Sequence, residues 1–154
     1  MAGKVDPIPD DYRGATPYLC VNGGLGAIEF YKKAFGAREV MRMPMPDGKL
    51  GHAELRIGAA PIMLADEHPE MNFRSPHSIG GTPVNIVVYV NDVDALVKQA
   101  EAAGAKILRP PENQFYGDRM ATLEDPFGHS WSFATHIEDV SPEELQKRAA
   151  APHS

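Results

Sequence analysis

Ala27-Ile28-Glu29-Phe30-Tyr31-Lys32-Lys33-Ala34-Phe35-Gly36-Ala37-Arg38 has a counterpart further along the chain in Leu96-Val97-Lys98-Gln99-Ala100-Glu101-Ala102-Ala103-Gly104-Ala105-Lys106. Apolar residues recur at helical spacing in both, as Ala27, Ile28, Tyr31 and Phe35 in the first and Leu96, Val97 and Ala100 in the second. Each stretch stops at a glycine, the residue that most readily closes a helix in the left-handed conformation. In both, Ala and then a basic residue follow, and the two glycines lie 68 positions apart. Working outward, each helix follows a strand-like apolar run, Thr16–Val21 before Asn22-Gly23-Gly24 and Val84–Val90 before Asn91-Asp92. The closing valines of these runs are 69 positions apart, so the chain contains itself twice.

After each helix the apolar period falls from about 3.6 residues to 2, the signature of strands. The first half reads as strands Arg38–Met43, His52–Ile57 and Pro61–Ala65, separated by Pro46-Asp47-Gly48 and Gly58-Ala59-Ala60. The second reads as Lys106–Leu108, Arg119–Glu124 and Ser130–Thr135, with the turn Asp125-Pro126-Phe127-Gly128 before the last. The expected fold is α+β, with two βαβββ units at 16–66 and 84–136 forming cupped mixed sheets with helices on the outer face. Residues 67–83, rich in Pro, Gly, Ser and His, read as a linker. Ser141-Pro142-Glu143-Glu144 starts a C-terminal helix over 141–149 with an N-cap, a proline at the first position and a capping box.

The composition excludes several classes. A formal charge of −6 argues against a nucleic-acid partner, which wants clustered Lys and Arg, and suits neutral or cationic ligands. No apolar run approaches the roughly 18 residues that span a bilayer. The N-terminus lacks the apolar core of a signal peptide, so a cytoplasmic location is expected. Cys20 has no second cysteine to pair with and lies in an apolar strand, which reads as a buried structural thiol. There is no nucleophile elbow, phosphate loop, Cys-x-x-Cys or His-Glu-x-x-His.

With Ala27–Ala37 and Asp125-Pro126-Phe127-Gly128-His129 in view, the duplicated unit resembles the vicinal oxygen chelate superfamily, from about Thr16 to Val140. Its members include glyoxalase I, extradiol dioxygenases, fosfomycin-resistance enzymes and bleomycin-resistance proteins. Phe115-Tyr116-Gly117-Asp118-Arg119 and Thr135-His136-Ile137-Glu138-Asp139 resemble its PhnB-like branch. The resemblance implies that the sheets enclose a cavity and that a homodimer forms. In the superfamily's metal enzymes, it further implies four ligands from the first and last strands of each half, usually His and Glu. Those positions fall near Thr16, Met63, Asn85 and Ser132, a set with neither anionic oxygen nor imidazole. Hard or borderline divalent metals need such donors, so no cofactor is expected, and a divalent metal enters only through an unorthodox site.

Candidate site residues follow from strand alternation. In Gly51–Ile57, Ala53, Leu55 and Ile57 share one face, and His52, Glu54 and Arg56 the other. His52 and Glu54 read as ligand contacts, an acid–base pair or an unorthodox metal pair, with Arg56 beside them; the competing reading is a solvated stripe with Glu54 near Arg56. Tyr116 and Arg119 read as ligand contacts, by stacking and by bidentate binding of an anion, or else as parts of a structural lock in which Asp118 pairs with Arg119. Glu124 is a further candidate, and Trp131 either stacks on a ligand or packs the core. His68 and His77 read as solvated, His129 as a turn contact, and the methionines as gap-fillers. Three functions fit these residues: a metal-independent small-molecule binder, a metal-dependent lyase, isomerase or dioxygenase resembling glyoxalase I, and a metal-free enzyme using His52 as acid–base.

Overall fold

The computed structural model of the protein describes residues 3–152. The chain divides into two compact units, one running to Lys32 and resuming over Gly36–Ser75, the other comprising Lys33–Phe35 and the chain from Pro76 onward. In the first, β1 (Tyr18–Val21), α1 (Gly24–Phe35, its last three residues counted with the second unit), β2 (Arg38–Pro44), β3 (Leu50–Ile57) and β4 (Ala60–Asp66) follow in order. The short helix α2 (Pro76–Ile79) opens the second. After it come β5 (Asn85–Tyr89), α3 (Val93–Ala103), β6 (Lys106–Asn113), β7 (Asp118–Glu124), β8 (Ser130–His136) and α4 (Pro142–Ala150). The sheets have orders β1-β4-β3-β2 and β5-β8-β7-β6. The first strand of each runs parallel to the last, and the remaining pairs are antiparallel. This is the α+β pair of βαβββ units that the repeat predicts.

Each helix stops where its glycine takes positive φ, 66° at Gly36 and 117° at Gly104. Starts differ between the halves. The side chain of Asp92 accepts a hydrogen bond from the Ala95 amide and caps α3. For α1 the cap comes from a distant strand, with Asp66 at the end of β4 accepting from the Gly23 and Gly24 amides at 2.7 and 2.9 Å. It also accepts from the Leu50 amide at 2.7 Å, so one buried carboxylate ties the helix start to β3. The approach is close enough that a Cβ on Gly24 would lie 2.5 Å from the Leu50 Cβ. The alternation in β3 is as read, with Ala53, Leu55 and Ile57 buried while His52, Glu54 and Arg56 keep partial exposure.

Three departures bear on the site. β6 continues past Leu108 through Pro110 and Pro111 to Asn113. It is one of the sheet's two edge strands, where a missing N–H costs little, and its register with β7 shifts on both sides of Arg109. The segment between the halves is more than a linker, since it carries a 3₁₀ turn at Pro69–Met71, the bridge His68↔Phe73 and α2. Finally, no methionine among the described residues is buried. The gap-filling reading therefore fails: Met43, Met45 and Met71 are exposed, and Met41 and Met63 line the β3 polar face in register with Glu54. No described helix is long and apolar enough to cross a membrane.

Candidate functional site

The polar face of β3 is wired into one chain of hydrogen bonds. The Tyr18 hydroxyl on β1 lies 2.7 Å from His52 Nδ1, and His52 Nε2 lies 3.3 Å from Glu54 Oε1. The other Glu54 oxygen accepts from the Tyr12 hydroxyl at 2.7 Å. Arg56 closes the line, with its guanidinium 5.3 Å over the Tyr12 ring, a contact to the Tyr12 oxygen at 3.5 Å and an ion pair with Asp11 at 3.2 Å. Tyr12 and Asp11 belong to a 3₁₀ turn, Asp10–Tyr12, ahead of β1. Glu54 and Arg56 meet through Tyr12, and the cationic head of Arg56 is committed to this scaffold.

The protonation pattern follows from the surroundings. The Tyr12 hydrogen bond, against an opposing effect of burial and with help from His52, holds Glu54 below the usual carboxylate range. Burial, and then the Glu54 charge, push the Tyr18 phenol above its ordinary value. Tyr18 therefore keeps its proton, and the two His52 ring nitrogens face the Tyr18 hydroxyl on one side and Glu54 on the other. Both imidazole nitrogens are engaged. The member of this relay that meets open space is Tyr18, which is 46% exposed.

That open space is a cavity of about 360 Å³ lined by Tyr18, Gly51, Ala65, His68, Met71 and Phe73. Its wall is aromatic, with the Phe73 ring edge-on to Tyr18 at 5.8 Å, and the His52 ring lies 5.5 Å from Tyr18. Three lining residues come from the segment read as a linker, among them His68, whose side chain keeps 38% of its exposure. Cys20 pairs in register with Ala65 but stays buried. Burial, with the Glu67 and Asp66 charges, pushes its thiol up to about 11, the inert thiol expected.

The other candidates belong to the second unit. Tyr116 is half-buried, its hydroxyl donating to Met120 Sδ at 3.4 Å; it lines a separate recess with Arg109. Arg119 turns to the helix side of β7 and grips Asp94 of α3 through two bonds of 2.7 and 2.9 Å, with Asn113 at 3.0 Å. Asp118, its neighbour, points to the opposite face, as consecutive strand residues must, so the two cannot pair. It accepts instead from Tyr89 at 2.6 Å and bonds His136 Nδ1 at 2.8 Å. Glu124 lines a recess of about 270 Å³ with Pro76, His77 and Gly128. His77 bonds the Pro126 carbonyl at 2.8 Å rather than solvent alone. Trp131 is 0% exposed and donates to Asp125 at 2.9 Å, which makes it core.

The four positions implied as metal ligands, Thr16, Met63, Asn85 and Ser132, all carry neutral side chains. Asn85 donates to the Ser132 hydroxyl at 2.7 Å, Ser132 lies 3.0 Å from the Thr122 hydroxyl, and Ser130 donates to Asn85 at 3.0 Å. These are neutral groups satisfying one another. Thr16 precedes β1, and Met63 offers only a thioether. Among the described residues no three His, Cys, Asp or Glu side chains converge as a metal ligand set.

The sequence alone missed Tyr18, Tyr12, Met71 and Phe73. A tyrosine at the exposed end of an otherwise buried strand was the available signal for Tyr18. Known proteins resemble the chain along most of its length. It is 46% identical over 149 residues to an uncharacterized protein of Mycobacterium tuberculosis, covering 95% of this chain and 84% of that one. An uncharacterized Arabidopsis thaliana protein is 30% identical over 115 residues, covering 70% of this chain and 69% of that one. Among solved structures, TioX from Micromonospora sp. ML1 matches with a TM-score of 0.65 at 28% identity, over 80% of this chain and 100% of that one. The fosfomycin resistance protein FosX from Listeria monocytogenes, solved with Mn(II) and sulfate, shares the fold with a TM-score of 0.62 at 18% identity, over 88% and 96% of the two chains. Residues 19–133 match the family profile itself, and the chain belongs to the glyoxalase/bleomycin resistance protein/dioxygenase superfamily.

Proposed function

We propose that this protein binds a small, largely apolar molecule in the cavity beside Tyr18, without a metal ion, and reads one polar group of it through the Tyr18–His52–Glu54 relay. One observation carries the reading: an ordered line of hydrogen bonds ends on a tyrosine in the wall of a cavity of about 360 Å³. Pockets that hold small molecules are apolar with a few placed polar groups, and Met71, Phe73 and Tyr18 supply such a wall. Soft methionine and aromatic rings suit an apolar ligand, or a cationic one held over a ring face. The relay also favours a second reading, a metal-free enzyme in which Tyr18 exchanges a proton with its ligand while His52 and Glu54 hold the other end. His52 is then a positioning residue, and Tyr18 the catalytic one.

A PhnB-like affiliation, cytoplasmic residence and a homodimer complete the proposal. A second copy of the chain is a natural cover for Val87 and Tyr89, which stand 50% and 61% exposed on one face of β5. The deciding experiment is a thermal-shift screen of apolar and cationic small molecules against the intact protein, repeated with Tyr18→Phe and His52→Ala. A saturating ligand at 100 times its Kd adds about 2.7 kcal/mol. The reading expects that gain to shrink in both variants; hits that bind both variants as well as the parent would sink it. Turnover of any hit, lost in Tyr18→Phe while affinity persists, would select the enzyme over the binder.

A further inference from the structure

We infer that the second unit carries a separate site for a small amino carboxylate, with Arg109 taking the carboxylate and Glu112 the ammonium group. Arg13, Arg42, Arg56, Arg119 and Arg148 each hold a carboxylate at between 2.7 and 3.2 Å. Arg109, like Arg38 and Arg74, does not: among the described residues neither its guanidinium nor the Glu112 carboxylate takes part in a hydrogen bond or ion pair, although the Glu112 charge acts on Arg119. Yet both line one recess of about 250 Å³, together with Tyr116, Met120 and Thr122. Charges that served only to guard an edge strand would need no walls around them. Here the recess is built by the irregular passage of β6 through Pro110 and Pro111, which breaks register with β7 on both sides of Arg109.

The spacing gives the ligand class. Arg109 lies opposite Thr122 and Glu112 opposite Met120, two residues apart on the same face of β7, so the anchors are offset by about 7 Å. A guanidinium and a carboxylate at that offset match a molecule whose carboxylate and ammonium are separated by a few carbons. Between them, Met120 and Pro110 offer an apolar floor. The Tyr116 hydroxyl is spent on a thioether sulfur, a weak acceptor, and would exchange it for a carboxylate oxygen. Glu112 also discriminates: beside it a dianion such as phosphate is repelled, whereas a zwitterion satisfies both charges.

The test uses 4-aminobutyrate, butyrate and butylamine as probes at neutral pH, followed by amide chemical shifts of the intact protein. Saturable shifts at Met120 and Thr122 are expected with 4-aminobutyrate, at an affinity at least about tenfold above either single-charge probe, since each charge-assisted contact is worth that much. Arg109→Gln should abolish binding of 4-aminobutyrate and butyrate alike. Glu112→Gln should bring 4-aminobutyrate down to the level of butyrate. Unchanged shifts elsewhere in each variant report that it is folded. The inference is overturned if 4-aminobutyrate gives no saturable shift at these residues, if butyrate binds as tightly, or if Arg109→Gln binds like the parent. Neither variant touches Tyr18, His52 or Glu54, so failure here leaves the first unit's cavity untouched, and the converse holds.

Discussion

Asp66 and its repeat counterpart Thr135 show how one position solves the same problem with different chemistry. Each follows its sheet's last apolar residues and faces the first turn of the helix after the first strand. Asp66 accepts three amides, whereas the Thr135 hydroxyl accepts from the Val93 amide and donates to the Val90 carbonyl, both at 2.9 Å. Removing an acceptor strands buried donors, which costs more than the bond itself contributed. Asp66→Ala should therefore lose roughly 2–4 kcal/mol in urea unfolding, and Thr135→Val roughly 1–2 kcal/mol, without a change in slope. If Asp66→Ala unfolded at the parent's midpoint, the capping role would be wrong. The strand and helix pattern pointed to both positions as strand ends, but not to the bonds. Partners 42 or 43 residues away leave no mark on a local period. Tyr12 is the same case, since only the folded chain brings it to Glu54, again 42 positions on.

At the scale of elements, the segment after β8 is held down by a lock that the sequence assigned to the wrong partners. Ile137 and Glu138 amides both bond the Gly117 carbonyl, and Arg148 of α4 reaches back to Glu138 and to the Phe115 carbonyl. Gly117 has φ 99°, and a Cβ there would run into the Glu138 carbonyl. Gly117→Ala is expected to cost roughly 2–4 kcal/mol through both strain and collision, measured as a lowered melting temperature; a neutral result would mean that the 115–119 turn is free to rearrange.

His136 fastens the same lock, bridging Asp118 at 2.8 Å and Asp139 at 2.7 Å. The hydrogen bond to Asp118, and then that to Asp139, raise its pKa above the ordinary histidine value. The folded state thus binds this proton more tightly than the unfolded chain does. Its contribution is complete below the unfolded histidine pKa and disappears as pH rises through the folded one. For Asp118, burial works upward, but the Tyr89 and His136 hydrogen bonds outweigh it and the pKa falls. That contribution is present above the ordinary carboxylate range and disappears as pH falls through the lowered value. Melting temperature against pH should show a decline as pH rises above the ordinary histidine value, a decline that His136→Asn flattens. Because His136 is half exposed, the decline is small, and identical profiles for the two proteins would remove His136 from the lock.

Across the whole molecule, the duplication has kept its fold and divided its chemistry. Register sets Tyr18 and Glu54 against Met63 in one sheet, and Val87 and Thr122 against Ser132 in the other. One half thus carries a phenol and a carboxylate where the other carries an apolar side chain and a hydroxyl. The repeat was legible because periodicity and glycine stops are local; the division was not, because it depends on which side chains meet across strands. It also bears on metal. A divalent ion at Asn85 and Ser132 would have to displace their mutual bonds with Thr122 and accept neutral oxygens in exchange. Such donors cannot repay the dehydration of Mg²⁺ or Mn²⁺ and do not suit Zn²⁺. Titrating the chelator-treated protein with Mg²⁺, Mn²⁺, Ni²⁺, Zn²⁺ and Fe²⁺ should therefore leave its melting temperature unchanged. A bound ion at 100 times its Kd would add about 2.7 kcal/mol, a rise of roughly 5–10 °C for a chain of this size. A selective rise with one ion that survived Asn85→Ala and Ser132→Ala would point to a site built from other residues. A rise lost in those variants would overturn the argument from donor chemistry itself.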